Sequence, residues 1–234
     1  KELEAKDEFP TKIIEGLRDM GAFGMRIPTE YGGLGLDLVT YALAIAELTR
    51  GWMAVSGIVN GQYIVGSMIA AHGTEEQKAN YLPRLAAGEI RSCFSMTEPG
   101  AGSDPTGLRT RAVRDGTGDR PGWLISGQKR WITNAPVADL FVVFARTRPA
   151  DADGAGIAVF LVPADTPGVE VGVKDAKMGQ EGAWTSDVYF TDVRVGPEAL
   201  IGGSEDIGYR AALTSLARGR IHIAALAVGS AQRA

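Results

Sequence analysis

The sequence predicts an α+β chain: an N-terminal all-α region, a middle antiparallel β-barrel or sandwich, and a return to helix at the C-terminal end. Three observations predict it. Apolar residues recur at helical spacing up to about residue 90, the period changes to two near Ile90, and helical spacing returns after Gly202–Gly203. The corresponding units are residues 1–90, 91–203 and 204–234.

The chain opens on a charged, helix-like stretch, Lys1 to Asp7. Ile13, Ile14, Leu17 and Met20 share one helical face, and Gly21 stops it. A glycine-rich loop follows, Pro28 to Asp37, and Asp37 is placed to cap a helix carrying Leu38, Tyr41, Ala42, Ile45 and Leu48. From Gly51 to Ala71 there is no charged residue, and Gly57 and Gly61 have GxxxG spacing. Ser56, Asn60, Gln62 and Ser67 interrupt that run, and no basic cluster flanks it, so it reads as a buried helix of a soluble bundle and not as a membrane span. Thr74 and Gln77 have capping-box spacing for a further helix that runs toward Leu85, bent at Pro83.

Seven runs rich in Val, Ile, Phe and Trp then read as strands: 91–97, 108–114, 123–133, 140–147, 157–162, 169–173 and 186–195. Gly, Asp and Pro clusters at 115–122, 151–156 and 166–168 separate them as turns. Strands at this spacing favour a barrel or sandwich over βαβ units. Leu213, Leu216, Ile221, Ile223, Leu226 and Val228 mark the closing helix. Lys1 is not a methionine and Ala234 falls within an apolar-periodic segment, so the sequence reads as a piece of a longer protein, ill-behaved alone. No signal peptide is visible.

Of 234 residues, 45% are hydrophobic and 22% charged, which excludes disorder for most of the chain. A net charge of -4 leaves no basic footprint for nucleic acid. The single cysteine, Cys93, cannot form an internal disulfide, so a reducing, cytoplasmic setting is expected, with Cys93 as a buried small hydrophobe. His72 and His222 stand far apart with no cysteine beside them, so no metal site is expected. His72, at a helix end, reads as favouring the dipole there. Arg109, Arg111, Arg114 and Arg120 flank a turn and read as solvated, with a phosphate contact as a second choice.

No serine lies in a GxSxG elbow, and Gly100–Ala101–Gly102 has Pro105 where a dinucleotide fingerprint needs its third glycine. The segment Cys93 to Asp104 (CFSMTEPGAGSD) is different. Its small residues let backbone N–H groups approach a planar or anionic ligand, although a plain turn between strands uses the same residues. In Gly127–Asn134 (GQKRWITN), Trp131 and Thr133 share a face by period two. An indole beside a hydroxyl suits an aromatic cofactor, although tryptophan in a strand also serves as core.

These stretches resemble the acyl-CoA dehydrogenases, flavoenzymes with an N-terminal helical domain, a middle β domain and a C-terminal four-helix bundle. The matching segments run in family order: IPTEYGGL (27–34), GTEEQKANYL (73–82), MTEPGAGSD (96–104), GQKRWITN (127–134), KMG (177–179) and the helix around 215–234. The last would be the first helix of a truncated bundle. The resemblance implies FAD as cofactor, held by Phe94, Met96, Thr97, Gly102, Ser103, Trp131, Ile132 and Thr133. Thr97 would donate to the polar edge of the flavin ring, Trp131 would pack on the ring, and Thr133 would bond near the hydride-accepting nitrogen. Ser103, together with Arg220, would contact substrate.

The implied reaction introduces an α,β double bond into a saturated acyl-CoA, with a glutamate taking the α-proton, in the setting of fatty acid metabolism. The electron acceptor would be an electron-transfer flavoprotein, and the assembly a homodimer or homotetramer. Most family members carry the glutamate in the C-terminal domain. The isovaleryl-type branch carries it at the position filled here by Gly219, which cannot abstract a proton, so no catalytic base is identified within the chain. Ala217 stands where some members have an acidic residue, and Phe94 where tyrosine is common. The alternatives are an acyl-CoA oxidase or flavin monooxygenase on the same scaffold, or a flavin- or acyl-CoA-binding relative without catalysis.

Overall fold

A computed structural model of the chain describes residues 6, 8–116, 121–152 and 156–234. The charged opening stretch, Lys6 excepted, and Arg120 lie outside the described residues.

Helix α1 (Thr11–Asp19) buries Ile14 and Leu17 and ends before Gly21, whose φ of 71° lies in the left-handed region that glycine enters at little cost. Ile13 and Met20 share its side but stay exposed. Asp37 caps α2 (Leu38–Gly51), its carboxylate accepting from the Val39 and Thr40 N–H groups at 2.8 and 3.0 Å. The uncharged segment forms α3 (Met53–His72), and 67% of its most apolar window is buried inside the fold, as a core helix requires. Thr74 and Gln77 make both bonds of the capping box that opens α4 (Glu75–Ala86), with Pro83 inside it. Gln77 also donates to the Glu198 and Leu200 carbonyls, tying this helix start to the end of the β region.

Seven strands follow among the described residues: β1 (Ser92–Ser95), β2 (Arg111–Asp115), β3 (Gly122–Thr133), β4 (Leu140–Arg146), β5 (Ile157–Pro163), β6 (Val169–Lys174) and β7 (Thr185–Val195). They form one curled sheet in the order β1-β4-β2-β3-β7-β6, with β5 on the far edge of β4. The expected sheet was antiparallel throughout; the observed one is mixed. β1 runs parallel to β4, and β2 joins the same edge of β4 in parallel at Arg146. That edge is taken by two strands in succession, so the chain between them, residues 96–110, must leave the sheet and return to it.

β4 and β5 are buried on both faces, which is why they read as continuous apolar runs. Phe141, Val143, Phe160 and Val162 face the inside of the curl, against Ile125, Val188 and Phe190. Leu140, Val142, Phe144, Val159 and Leu161 face the helices, against Val65, Met68 and Leu85. The closing helix, α5 (Ile207–Arg233), packs on α2, α3 and β5. Glycine sets that approach: a Cβ at Gly208 would run into the Ile157 carbonyl, and one at Gly229 into that of Ala46.

Candidate active site

Gln62 of α3 fixes the helical region on the sheet. Its Nε2 donates to the carbonyls of Leu85 (3.3 Å) and Ile90 (2.7 Å), while its Oε1 accepts from the Ser92 N–H (2.8 Å) and hydroxyl (2.7 Å). The start of β1 is therefore registered against α3 by a fully bonded buried amide. Between these elements opens a cavity of about 440 Å³. One wall is Gly57, Asn60, Gly61 and Ile64, which share a single face of α3. Ile223 and Leu226 of α5 and the loop residues Lys177 and Gln180 contribute further sides.

The remaining wall brings together five of the residues singled out in the sequence: Phe94 at β1, Thr97 just beyond it, and Trp131, Ile132 and Thr133 at the end of β3. Phe94 packs on Phe144 at 4.8 Å between ring centroids. The Arg130 N–H donates to the Thr97 carbonyl at 2.8 Å, and the Cys93 thiol to that of Thr133 at 3.1 Å, which hold the two segments side by side. Among the described residues neither the Thr97 nor the Thr133 hydroxyl has a hydrogen-bond partner, and both residues line the cavity.

Trp131 reaches the cavity by a device that strict alternation does not reveal. The pairing of β3 with β7 slips between Lys129 and Ile132, and Trp131 sits at φ 55°, in the left-handed region where a bulky side chain is an outlier. The bulge turns the indole outward, 60% exposed, while Ile132 beside it stays in the core. The Arg130 guanidinium lies 5.1 Å from the indole centroid.

Met96, Gly102, Ser103 and Arg220 do not line the cavity. The Met96 side chain belongs to the core between sheet and helices. Gly102 and Ser103 lie on the exposed part of the 96–110 loop, where Gly100 and Gly102 face open space. Arg220 is exposed on α5. Gly219 is buried: a Cβ there would lie 3.2 Å from Cδ1 of Ile64, itself a cavity residue.

Sequence reasoning passed over Glu98 and Lys129, the charged members of the same two motifs. Lys129 is fully buried, and burial pulls its pKa down to about 8 against the opposing pull of Glu98. Burial alone would raise the Glu98 carboxyl, but the Lys129 ammonium and hydrogen bonds from Lys129, Thr110 and Arg109 outweigh it and hold Glu98 below the usual carboxylate range. The available signal was register: by period two Lys129 falls on the face of Trp123 and Ile125, and a lysine there is buried only with a partner. His72 is also lowered, by burial and then by Arg210 and Arg218, which suppresses the charge a dipole role needs. Cys93 is fully buried and its thiol is pushed up by burial.

Comparison with known proteins agrees with this architecture. The family model for the acyl-CoA dehydrogenase N-terminal domain matches residues 1–89, and that for the middle domain residues 93–193. The chain belongs to the acyl-CoA dehydrogenase family. It is 41% identical to an acyl-CoA dehydrogenase of Bacillus subtilis over 99% of this chain and 60% of the relative. The structure of butyryl-CoA dehydrogenase from Megasphaera elsdenii superposes with a TM-score of 0.92 at 33% identity, covering 99% of this chain and 60% of that one. A glutaryl-CoA dehydrogenase from Mycobacterium smegmatis, solved in complex with FADH2, superposes with a TM-score of 0.86 at 36% identity, over 98% of this chain and 56% of that one. The chain thus spans little more than half the length of these acyl-CoA dehydrogenases, and the segment it shares with them contains the cavity wall formed by β1 and β3.

Proposed function

We propose that the protein is an FAD-dependent acyl-CoA dehydrogenase, with the isoalloxazine ring lying in the 440 Å³ cavity against β1 and β3. The observation that carries this reading is the pair of hydroxyls, Thr97 and Thr133, without a partner among the described residues, on one wall with an outward-turned indole. An aromatic ring with polar edges fits that set: the indole offers a stacking face and each hydroxyl a bond to a ring heteroatom. Gly100 and Gly102 face open space beside it, leaving room for the phosphate arm. Bound FAD would supply the two-electron oxidation by accepting hydride from the substrate β-carbon.

The chain's own residues orient and shield that chemistry. Thr97 would offer its hydroxyl to the edge of the ring where negative charge accumulates on reduction. Gly61 lets α3 approach β1 closely, since a Cβ there would lie 2.9 Å from the Ser92 carbonyl oxygen, and Phe94, Ile64, Ile223 and Leu226 supply apolar surface that excludes water. Among the described lining residues there is no carboxylate, and Gly219 cannot serve, so the general base of this reading lies outside these residues. Ser103 and Arg220 are assigned to the substrate, both exposed outside the cavity lining.

The reading extends to an electron-transfer flavoprotein as acceptor, a homodimer or homotetramer as the assembly, and the cytoplasm as its location. An apolar groove of about 400 Å³ between α2 and α5, bordered by the exposed Val39, Leu43 and Val228, supports further burial of that face. Anaerobic addition of saturated acyl-CoAs of increasing length to the full-length holoprotein tests the proposal. Bleaching of the oxidised-flavin band with formation of enoyl-CoA is expected. A bound flavin that no acyl-CoA reduces would overturn it, and peroxide formed in air at the rate of turnover would move the assignment to an oxidase.

A further inference from the structure

The pair Lys129–Glu98 lies outside the cavity, yet it holds both ends of the loop that borders it. The Lys129 ammonium reaches three oxygens: the Met96 carbonyl at 3.1 Å, Glu98 Oε1 at 2.9 Å and the Phe144 carbonyl of β4 at 2.6 Å. That uses all three of its donors. Glu98 in turn accepts from the N–H groups of Thr110 (2.9 Å, at Oε1) and Arg109 (2.6 Å, at Oε2). One buried ion pair therefore joins the residues where the chain leaves the sheet, the residues where it returns, and the strand that both ends flank.

Thr97 stands at the centre of this arrangement. Its neighbours on both sides, Met96 and Glu98, are held by Lys129, and its own carbonyl accepts from the Arg130 N–H at 2.8 Å. Beyond it, Glu98 and Ala101 exchange backbone hydrogen bonds at 2.8 and 3.2 Å, closing a tight turn over Pro99–Gly100. The loop past that turn, by contrast, is largely exposed, with little apolar packing until Leu108 is buried. Stability alone is a poor account of such a pair, since well-packed apolar residues commonly replace buried ion pairs without loss. What the pair adds is a fixed geometry for the Met96–Glu98 end of the segment, whose return at Thr106 and Leu108 is held as well by the Arg146 guanidinium.

We propose that Lys129 and Glu98 are positioning residues for the flavin: together they hold the 96–110 loop in its cofactor-binding shape before FAD arrives, so that binding does not have to order it. This rests on the FAD reading above. The conformational entropy of that loop is lost on folding and not on cofactor binding, which raises affinity without adding a contact to the ligand.

The test uses full-length apoprotein titrated with FAD, followed by flavin fluorescence and visible absorbance. Lys129→Met leaves the Glu98 carboxylate buried and unpaired, and that single variant risks misfolding. The double variant Lys129→Met/Glu98→Gln carries no net buried charge and is the decisive one. Its expected FAD dissociation constant is at least tenfold higher than wild type, with broadened vibronic structure in the flavin band and a shifted flavin midpoint potential. A purely structural pair would lower the apoprotein melting temperature while leaving affinity, band shape and potential of the refolded holoprotein unchanged, and that result would overturn the proposal. Failure of the wild-type apoprotein to take up FAD would instead refute the FAD reading itself, and this proposal with it.

Discussion

Nδ1 of His222 lies 2.6 Å from the Tyr41 hydroxyl oxygen, joining α5 to α2 across 181 positions of sequence. The other ring nitrogen, Nε2, lies 3.1 Å from the Ser56 hydroxyl of α3, so one imidazole links all three helices that pack behind the cavity. Burial lowers the His222 pKa from 6.5 to about 4. The unfolded chain takes up the proton below pH 6.5, and the folded chain not until about pH 4. The neutral ring therefore supports stability fully above pH 6.5 and progressively less toward pH 4, a loss of about 3 kcal/mol over that window. Urea unfolding between pH 7 and 4.5 measures it, and His222→Asn should flatten the slope; an unchanged slope would remove His222 as its source.

Trp131 and Thr133 should separate cofactor binding from folding. Trp131→Ala is expected to weaken FAD binding at least tenfold while changing apoprotein stability by less than about 0.5 kcal/mol, because the indole is 60% exposed. Thr133→Val should act in the same sense through its hydroxyl alone. Flavin titration and chemical denaturation of the same samples read the two effects, and a large stability loss with unchanged affinity would contradict the assignment.

The glycines of α5 should divide into two kinds. At Gly229 an added Cβ meets the Ala46 carbonyl, and backbone cannot yield as a side chain does, so Gly229→Ala should cost more than about 2 kcal/mol. At Gly219 the neighbour is the end of the Ile64 side chain, 3.2 Å away, and the helix gains from losing a glycine. Gly219→Ala should therefore fall within about 1 kcal/mol of wild type. Melting temperatures of the two variants give the comparison directly.

Gln62→Leu should be among the more damaging polar-to-apolar changes in the molecule. It leaves the Ile90 carbonyl and the Ser92 N–H without their buried partner. Each stranded group costs about 1–3 kcal/mol, so a loss of several kcal/mol in denaturant unfolding is expected. Loosening β1 against α3 should also displace Phe94 and weaken flavin binding.

Where the amino-acid pattern and the local rule coincided, the sequence was readable to within a residue or two. Asp37 and the Thr74–Gln77 pair start their helices as their spacing requires, and the two-sided burial of β4 and β5 follows from their unbroken apolar runs. The strand direction was not readable, because the parallel placement of β1 and β2 along β4 depends on a loop that leaves and returns, and period two is the same in either sense.

The candidate site divides in the same manner. Period two paired Trp131 with Thr133, and the family resemblance added Thr97, Gly102, Ser103 and Arg220; of these four only Thr97 lines the cavity, the others lying on exposed loop and helix surface. Nothing local in Gly57, Asn60 or Ile64 marks them as cavity wall; they become so because α3 presents that face to β1 and β3.

The sequence by itself determined the order of helical and β segments, the helix caps and the apolar strands, because each depends on neighbours within a few positions. Tertiary structure alone decided the curl of the sheet, the φ of 55° that turns Trp131 outward, and the closure of the 96–110 loop by Lys129 and Glu98. Those features rest on contacts between segments distant in the chain, whose geometry is fixed only when burial brings their polar groups within bonding distance of one another.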